Sequence, residues 1–290
     1  MGIHRVEFGL GDPAVFVHGS FGWGLDTFPE QRALADRFRV VLVDRAGFGD
    51  SPAGDVVGWP TDVDDLIEVL GECKGAHLVG QSYGAVVSLL AAGRRPDLVR
   101  SLVVIEPPVY SIAADHPAVQ TVVAAERRLR EGANEMSTPD FVRGWGAGVM
   151  GRDPEAIDEW TAGWTPKDWA AADATRRERW PGNAPLRLPA LARLSVPKVV
   201  VVGGWRADLF PRRQSAGRAL RVVAEALTRA TGSRLIVFDR SAHNPQLEEP
   251  AAFNALLRET WTMTLGRPPA GESHSKSPKE RRRPLNPRRA

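Results

Sequence analysis

Short, continuously apolar runs punctuate the first 110 residues. They cover residues 14–17, 38–43, 76–79 and 101–105, and end at His18-Gly19, Asp44, Gly80 and Glu106. None alternates apolar with polar positions, so each reads as a strand covered on both faces, as in a parallel sheet. Between them lie stretches with helical spacing. Residues 26–38 carry Leu34 and Phe38 on one face. Residues 61–70 open with Thr61 and Asp64 in a capping arrangement and align Val63, Leu66, Ile67 and Leu70. Residues 83–93 are apolar nearly all round, which marks a buried helix. From 109 to 192 the spacing is helical, with no convincing strand. The earlier rhythm then returns, with strands at 197–202 and 234–238 and helices at 216–230 and 250–265. The pattern predicts an α/β fold, a mostly parallel central sheet flanked by helices and joined by right-handed crossovers. Its core is 1–108 with 193–265, and 109–192 is a helical insertion after the strand ending at Glu106.

Composition narrows the class. The 290 residues are 43% hydrophobic and 25% charged, which excludes a mainly disordered chain or a fibre and allows a sizeable core. Apolar runs such as 40–43 and 199–202 fall far short of the ~18 residues of a membrane helix. Met1 to Asp12 lacks the apolar segment of a signal peptide, so the expected address is the cytoplasm. A single cysteine, Cys73, excludes an intrachain disulfide framework and a cysteine-based zinc site. The net charge of +3 hides an asymmetry, because residues 266–290 hold eight basic and two acidic side chains, leaving the rest negative. That tail has five prolines and few apolar residues, so disorder is expected. No aromatics interleave its basic residues, and neither a nucleic-acid nor a membrane partner is expected. Five of the nine tryptophans (Trp145, Trp160, Trp164, Trp169, Trp180) fall in 109–192. They either pack that insertion or wall an apolar pocket.

Chemistry enters at Gly80-Gln81-Ser82-Tyr83-Gly84. This is a G-x-S-x-G motif with a strand before it and a helix after it, the context that motif requires. A sharp strand-to-helix turn presents the Ser82 hydroxyl at a helix N-terminus, where developing negative charge is favoured. A serine nucleophile needs a base, and His243 lies in the loop after the last strand. An oxyanion needs two donors, for which the N–H groups of Tyr83 and of Ser20, in His18-Gly19-Ser20-Phe21-Gly22, are suited. The loop from Asp44 to Ser51 is Gly-rich but lacks the lysine and spacing of a phosphate-binding loop, and reads as structural.

Together these motifs resemble the α/β-hydrolase superfamily, in its capped, serine-nucleophile form. The resemblance spans roughly 3–110 and 195–265. It implies a cap over the site at 109–192 and an acid to orient His243. Members carry that acid in one of two loops. Glu106 occupies one place, at the end of the strand after the Ser82 turn. Asp208 lies in the other, one or two residues late for the usual Gly-x-x-Asp spacing, and Glu106 is preferred. The implied activity is hydrolysis of an ester, thioester or lactone through an acyl-enzyme, on a small apolar acyl or aromatic substrate, without cofactor or metal. The same residues would serve a cofactor-free haloperoxidase or perhydrolase, or a C–C bond hydrolase. A non-catalytic small-molecule-binding protein is the alternative of another class.

Overall fold

The computed structural model describes residues 2–54, 57–210 and 214–262. Seven strands form one sheet: β1 (Arg5–Phe8), β2 (Asp12–Val17), β3 (Phe38–Val43), β4 (Ala76–Gln81), β5 (Val99–Ile105), β6 (Lys198–Gly203) and β7 (Arg234–Phe238). Their order is β1-β3-β2-β4-β5-β6-β7, and every neighbouring pair is parallel except antiparallel β1 and β3. The apolar runs therefore became the central strands. In β2 to β6 residues such as Phe16, Val41, Leu78, Val103 and Val201 are buried almost completely, which suits side chains that prefer a pleated surface. Edge strand β1 escaped the apolar-run reading because Arg5 and Glu7 interrupt it.

Helices α1 (Gly24–Thr27), α2 (Trp59–Glu72) and α3 (Tyr83–Arg94) lie between the early strands. Between β5 and β6 come α4 (Pro117–Glu131), α5 (Thr138–Gly148), α6 (Pro154–Thr161), α7 (Pro166–Arg177) and α8 (Leu188–Arg193), with no strand among these described residues. Each of these five has proline in its first turn, where its missing N–H costs nothing. Ser137, Asp153 and Thr165 cap α5, α6 and α7 through their side chains. Helices α9 (Gln214–Thr231), α10 (Pro245–Glu248) and α11 (Pro250–Thr262) complete the chain's described part. One face of the sheet buries Leu66, Val86, Leu89 and Val223 from α2, α3 and α9. The other buries Phe28, Phe253, Leu257 and Trp261. No helix of the described residues is long and apolar enough to cross a membrane.

Two expectations change. The helix at 26–38 is instead short α1 followed by a 3₁₀ turn, Pro29–Asp36, and Phe38 already belongs to β3. Pro29 excludes the α conformation at Phe28, whose φ and ψ are −129° and 43°. Helix α2 begins at Trp59, so Thr61 lies inside its first turn, not at its cap, and its hydroxyl donates to Gly58 O at 3.1 Å. The final helix is described to Thr262, and the basic tail lies outside the described residues.

The strand order reverses direction between β2 and β4, so the loops leaving their carboxyl ends diverge and open a crevice. Ser20 follows β2 and Ser82 follows β4, one on each side of that crevice.

Candidate active site

Ser82 alone makes the turn from β4 to α3, with φ 52° and ψ −118°. Its N–H donates to Ile105 O at 2.8 Å, which ties the turn to β5. The flanking glycines are required by contact. A Cβ on Gly80 would lie 2.5 Å from Gly84 O, and one on Gly84 would lie 2.2 Å from Val17 O. The turn thus holds a serine in a strained conformation at the N-terminus of α3.

At the end of β5, Glu106 is completely buried and also has positive φ, 46°. Its Oε2 lies 2.8 Å from Nδ1 of His243. Its Oε1 accepts the N–H of Gly203 at 2.9 Å and the indole Nε1–H of Trp205 at 2.7 Å. A buried carboxylate is costly unless its lone pairs are satisfied, and these donors satisfy them. Trp205 holds φ 47°, and its ring occupies the space a Cβ on Gly217 would need, 2.3 Å from Cγ. Asp208, by contrast, is exposed and forms a forked pair with Arg206 at 2.7 and 3.0 Å. Four of the five described non-glycine residues with positive φ are Phe21, Ser82, Glu106 and Trp205. Backbone strain is therefore concentrated around one cluster of side chains.

The loop bearing His243 is braced from three sides. The Gln81 side chain donates to Asn244 Oδ1 at 3.1 Å, directly beside Ser82. Ala242 N donates to Glu248 Oε2 at 2.6 Å, and Ser241 Oγ to Glu249 Oε1 at 2.7 Å. Trp205 N donates to Ser241 O at 3.1 Å, coupling this loop to the one after β6.

Across the crevice, Gly19 approaches so closely that a Cβ there would lie 2.9 Å from Ser82 Cβ. His18 is a brace: its Nε2 accepts the Arg45 N–H at 2.9 Å, and its Nδ1 lies 2.7 Å from Gly19 O. Burial, reinforced by the Arg45 charge, holds its pKa well below the usual histidine range, so the ring is neutral. Arg45 is itself buried. It donates to His18 O, Gly19 O, Asp62 Oδ2 and Glu178 Oε2 at 2.9–3.1 Å, with its guanidinium over the rings of Phe48 and Tyr83. Burial raises the pKa of both carboxyls against the pull of Arg45. Removing one partner from such a buried network costs about 3–5 kcal/mol. Neither Arg45 nor Glu178 nor Trp205 stood out in the sequence, because each acquires its role only through partners distant along the chain.

Ser20, Ser82, Trp145, Met150 and His243 line two hollows. The larger, about 230 Å³, adds Phe21 and Trp160 with Asp26, Arg152 and Glu248. The smaller, about 40 Å³, adds Tyr110, Val122 and Glu126. Phe21 packs against Trp145 at 4.6 Å and Trp160 at 5.7 Å, and Trp160 against Trp164 at 4.8 Å. Trp180 instead donates to buried Glu126 at 2.6 Å. Among the described residues, His4, Asp44 and Asp50 bring potential metal-ligand atoms within 4.8 Å of one another. They have a structural use already: Asp44 Oδ2 meets His4 Nδ1 at 2.8 Å and Asp50 N at 3.0 Å, while Asp50 pairs with Lys167.

The family model described as "Alpha/beta hydrolase family" matches residues 14–256. The chain belongs to the alpha/beta hydrolase family. Within it, the chain is 28% identical to the pimeloyl-[acyl-carrier protein] methyl ester esterase of Aeromonas hydrophila, over 89% of this chain and 98% of that protein. It is 30% identical to the 2-(acetamidomethylene)succinate hydrolase of Mesorhizobium japonicum, over 75% and 71%. Among solved structures, an esterase from Exiguobacterium antarcticum superposes with TM-score 0.66 at 22% identity, covering 90% of this chain and 95% of that one. This alpha/beta hydrolase is an esterase-like hydrolase.

Proposed function

We propose that the protein is a serine esterase with Ser82 as nucleophile, His243 as base and Glu106 as the acid that orients the ring. The reading rests above all on the 2.8 Å contact between Glu106 Oε2 and His243 Nδ1, in a cavity that His243 shares with a strained Ser82. A hydrogen bond from Nδ1–H to Glu106 leaves Nε2 as the basic nitrogen. Nε2 takes the hydroxyl proton as Ser82 Oγ bonds to the ester carbonyl carbon. The resulting oxyanion lies against the N–H groups of Tyr83 and Ser20. The carbon–oxygen bond to the alcohol then breaks, and His243 returns its proton to the leaving oxygen. Water repeats the sequence on the acyl-enzyme, releasing the acid and free Ser82.

Residues 109–192 act as a cap in this reading, and Trp145 and Trp160 wall the larger hollow. That hollow suits an aromatic or extended apolar group, and the smaller one suits a few non-hydrogen atoms. The Aeromonas relative acts on a methyl ester, which is consistent with a small group in one arm and a larger one in the other.

The test is labelling with a fluorophosphonate, read by intact mass, together with turnover of p-nitrophenyl esters. One adduct on the wild type, absent from Ser82→Ala with turnover down by about 10³ or more, is the expected result. Ser82→Ala with wild-type turnover would sink the proposal.

A further inference from the structure

The helical segment reaches into the loop after β2 at three points. The hydroxyl of Thr175, on α7, accepts the backbone N–H of Phe21 at 2.8 Å while donating to Ala171 O at 2.9 Å. The carboxylate of Glu178, just past α7, accepts the Ser20 hydroxyl on Oε1. Its Oε2 accepts Arg45 Nη2 at 3.1 Å, and the same Nη2 holds Gly19 O at 3.0 Å. Thr175 and Glu178 are almost completely buried. A further arginine, Arg130 on α4, donates to Glu178 O at 2.8 Å and fixes that backbone.

These contacts converge on residues that do not hold their conformation unaided. Phe21 has φ 66°, a left-handed value that a bulky side chain avoids at a cost of about 1–3 kcal/mol. The donation of Phe21 N–H to Thr175 compensates that conformation and removes Phe21 from the pool of oxyanion donors. Ser20 N–H is the donor of this loop that the esterase reading assigns to the oxyanion. Gly19 O and Ser20 N–H share one peptide, which Glu178 braces through Arg45, and Thr175 fixes the next peptide, between Ser20 and Phe21, so losing either contact loosens the frame that aims Ser20 N–H.

We propose that Thr175 and Glu178 are positioning residues of the oxyanion loop, so that the helical segment builds part of the catalytic machinery besides enclosing substrate. The inference rests on the serine-esterase reading above. It has a kinetic signature: a misaimed oxyanion donor weakens the transition state more than the bound ester, so kcat falls while KM holds.

The experiment uses the full chain as wild type, Thr175→Val, Thr175→Ser and Glu178→Gln. Active sites are counted by end-point fluorophosphonate labelling, and melting temperature monitors folding. kcat per labelled site and KM are measured on p-nitrophenyl butyrate, together with the inhibition constant of a boronic acid that forms a tetrahedral adduct. For Thr175→Val we expect kcat per labelled site to fall about tenfold, KM to stay within twofold, and the boronate to bind about tenfold more weakly, with Thr175→Ser restoring all three. Glu178→Gln moves in the same direction. Where Glu178→Gln fails to fold, the Thr175 pair decides alone. Unchanged kcat per labelled site in Thr175→Val, or a loss confined to the number of labelled sites, overturns the inference. A wild type that takes no adduct overturns the esterase reading beneath it, a result distinguishable from both.

Discussion

The carboxyl edge of the sheet and the helical segment between β5 and β6 are built by different rules. At the sheet edge, local sequence decides geometry. Apolar runs become strands, and the chemistry-bearing residues stand immediately past two of them: Ser82 after Gln81 and Glu106 after Ile105. In the helical segment, local sequence decides the helices, through prolines and caps, but leaves their mutual packing open. What fixes that packing is long-range: Trp180 on Glu126, Arg130 on Glu178, and Phe21 against Trp145 and Trp160. On this contrast, changes at the sheet edge should act on kcat. Aromatic changes in the helical segment should act on KM, with Thr175 and Glu178 the exceptions.

The largest effect that tests the contrast concerns the two carboxylates. Glu106→Gln keeps the shape of the buried site but removes the charge that stabilises protonated His243, so kcat should fall about 10³–10⁴-fold. Asp208→Asn breaks only an exposed pair with Arg206 and should leave turnover within about twofold. Steady-state kinetics of both variants on one ester decide the matter. A larger loss in Asp208→Asn would mean that the loop after β6 rearranges to bring its own carboxylate to His243.

These two positions also show how far the sequence was legible. The motif around Ser82 carries its own structural instruction, because neighbouring backbone passes Gly80 and Gly84 so closely that any Cβ there would lie under 3 Å from it. The candidate base His243 is singled out by its place after the last strand. Glu106 was legible only as a choice, since a strand-end carboxylate can equally anchor a hinge; what separates it from Asp208 is burial and the indole of Trp205, neither of which is encoded locally. The expected helix at 26–38 failed for a local reason that outweighed its spacing, namely Pro29. The short edge strand β1 was missed because four residues are too few for a period. The ties from Thr175 and Glu178 to the loop after β2 span more than 150 residues and leave no pattern in the sequence.

A second effect, intermediate in size, probes the aromatic wall. Trp160 faces the larger hollow, packs on Phe21 and Trp164, and carries the Arg152 guanidinium over its ring at 4.7 Å. Trp160→Ala should raise KM for a naphthyl ester about tenfold, the loss of roughly 1.4 kcal/mol of ground-state contact, with kcat little changed. The same variant should handle p-nitrophenyl acetate as the wild type does. Equal losses in kcat on both esters would show the wall acting on the catalytic residues instead, and the contrast between the two regions would fail.

The smallest effect lies where the regions meet. Asp26 belongs to α1 in the sheet-based part and lines the larger hollow, and Asp168 belongs to the first turn of α7. Burial of its carboxyl, with the nearby Asp168 charge adding to it, pushes the Asp26 pKa up to about 6. The sign follows directly: the carboxyl is neutral below about pH 6 and negative above it. Arg152, His243 and Glu248 face the same hollow, and burial raises the Glu248 pKa as well, so the Asp26→Asn variant is what assigns the step. The ratio of KM values for an ester bearing a quaternary ammonium and its neutral isostere should therefore fall as pH rises through about 6. The fall should be only about two- to fivefold, because water screens a group that remains partly exposed. Taking the ratio cancels the titration of the catalytic residues, which both esters share. In Asp26→Asn the ratio should be flat across that range. A step that survives in Asp26→Asn would move the titration to another group and separate Asp26 from the seat of α7 on the sheet-based part.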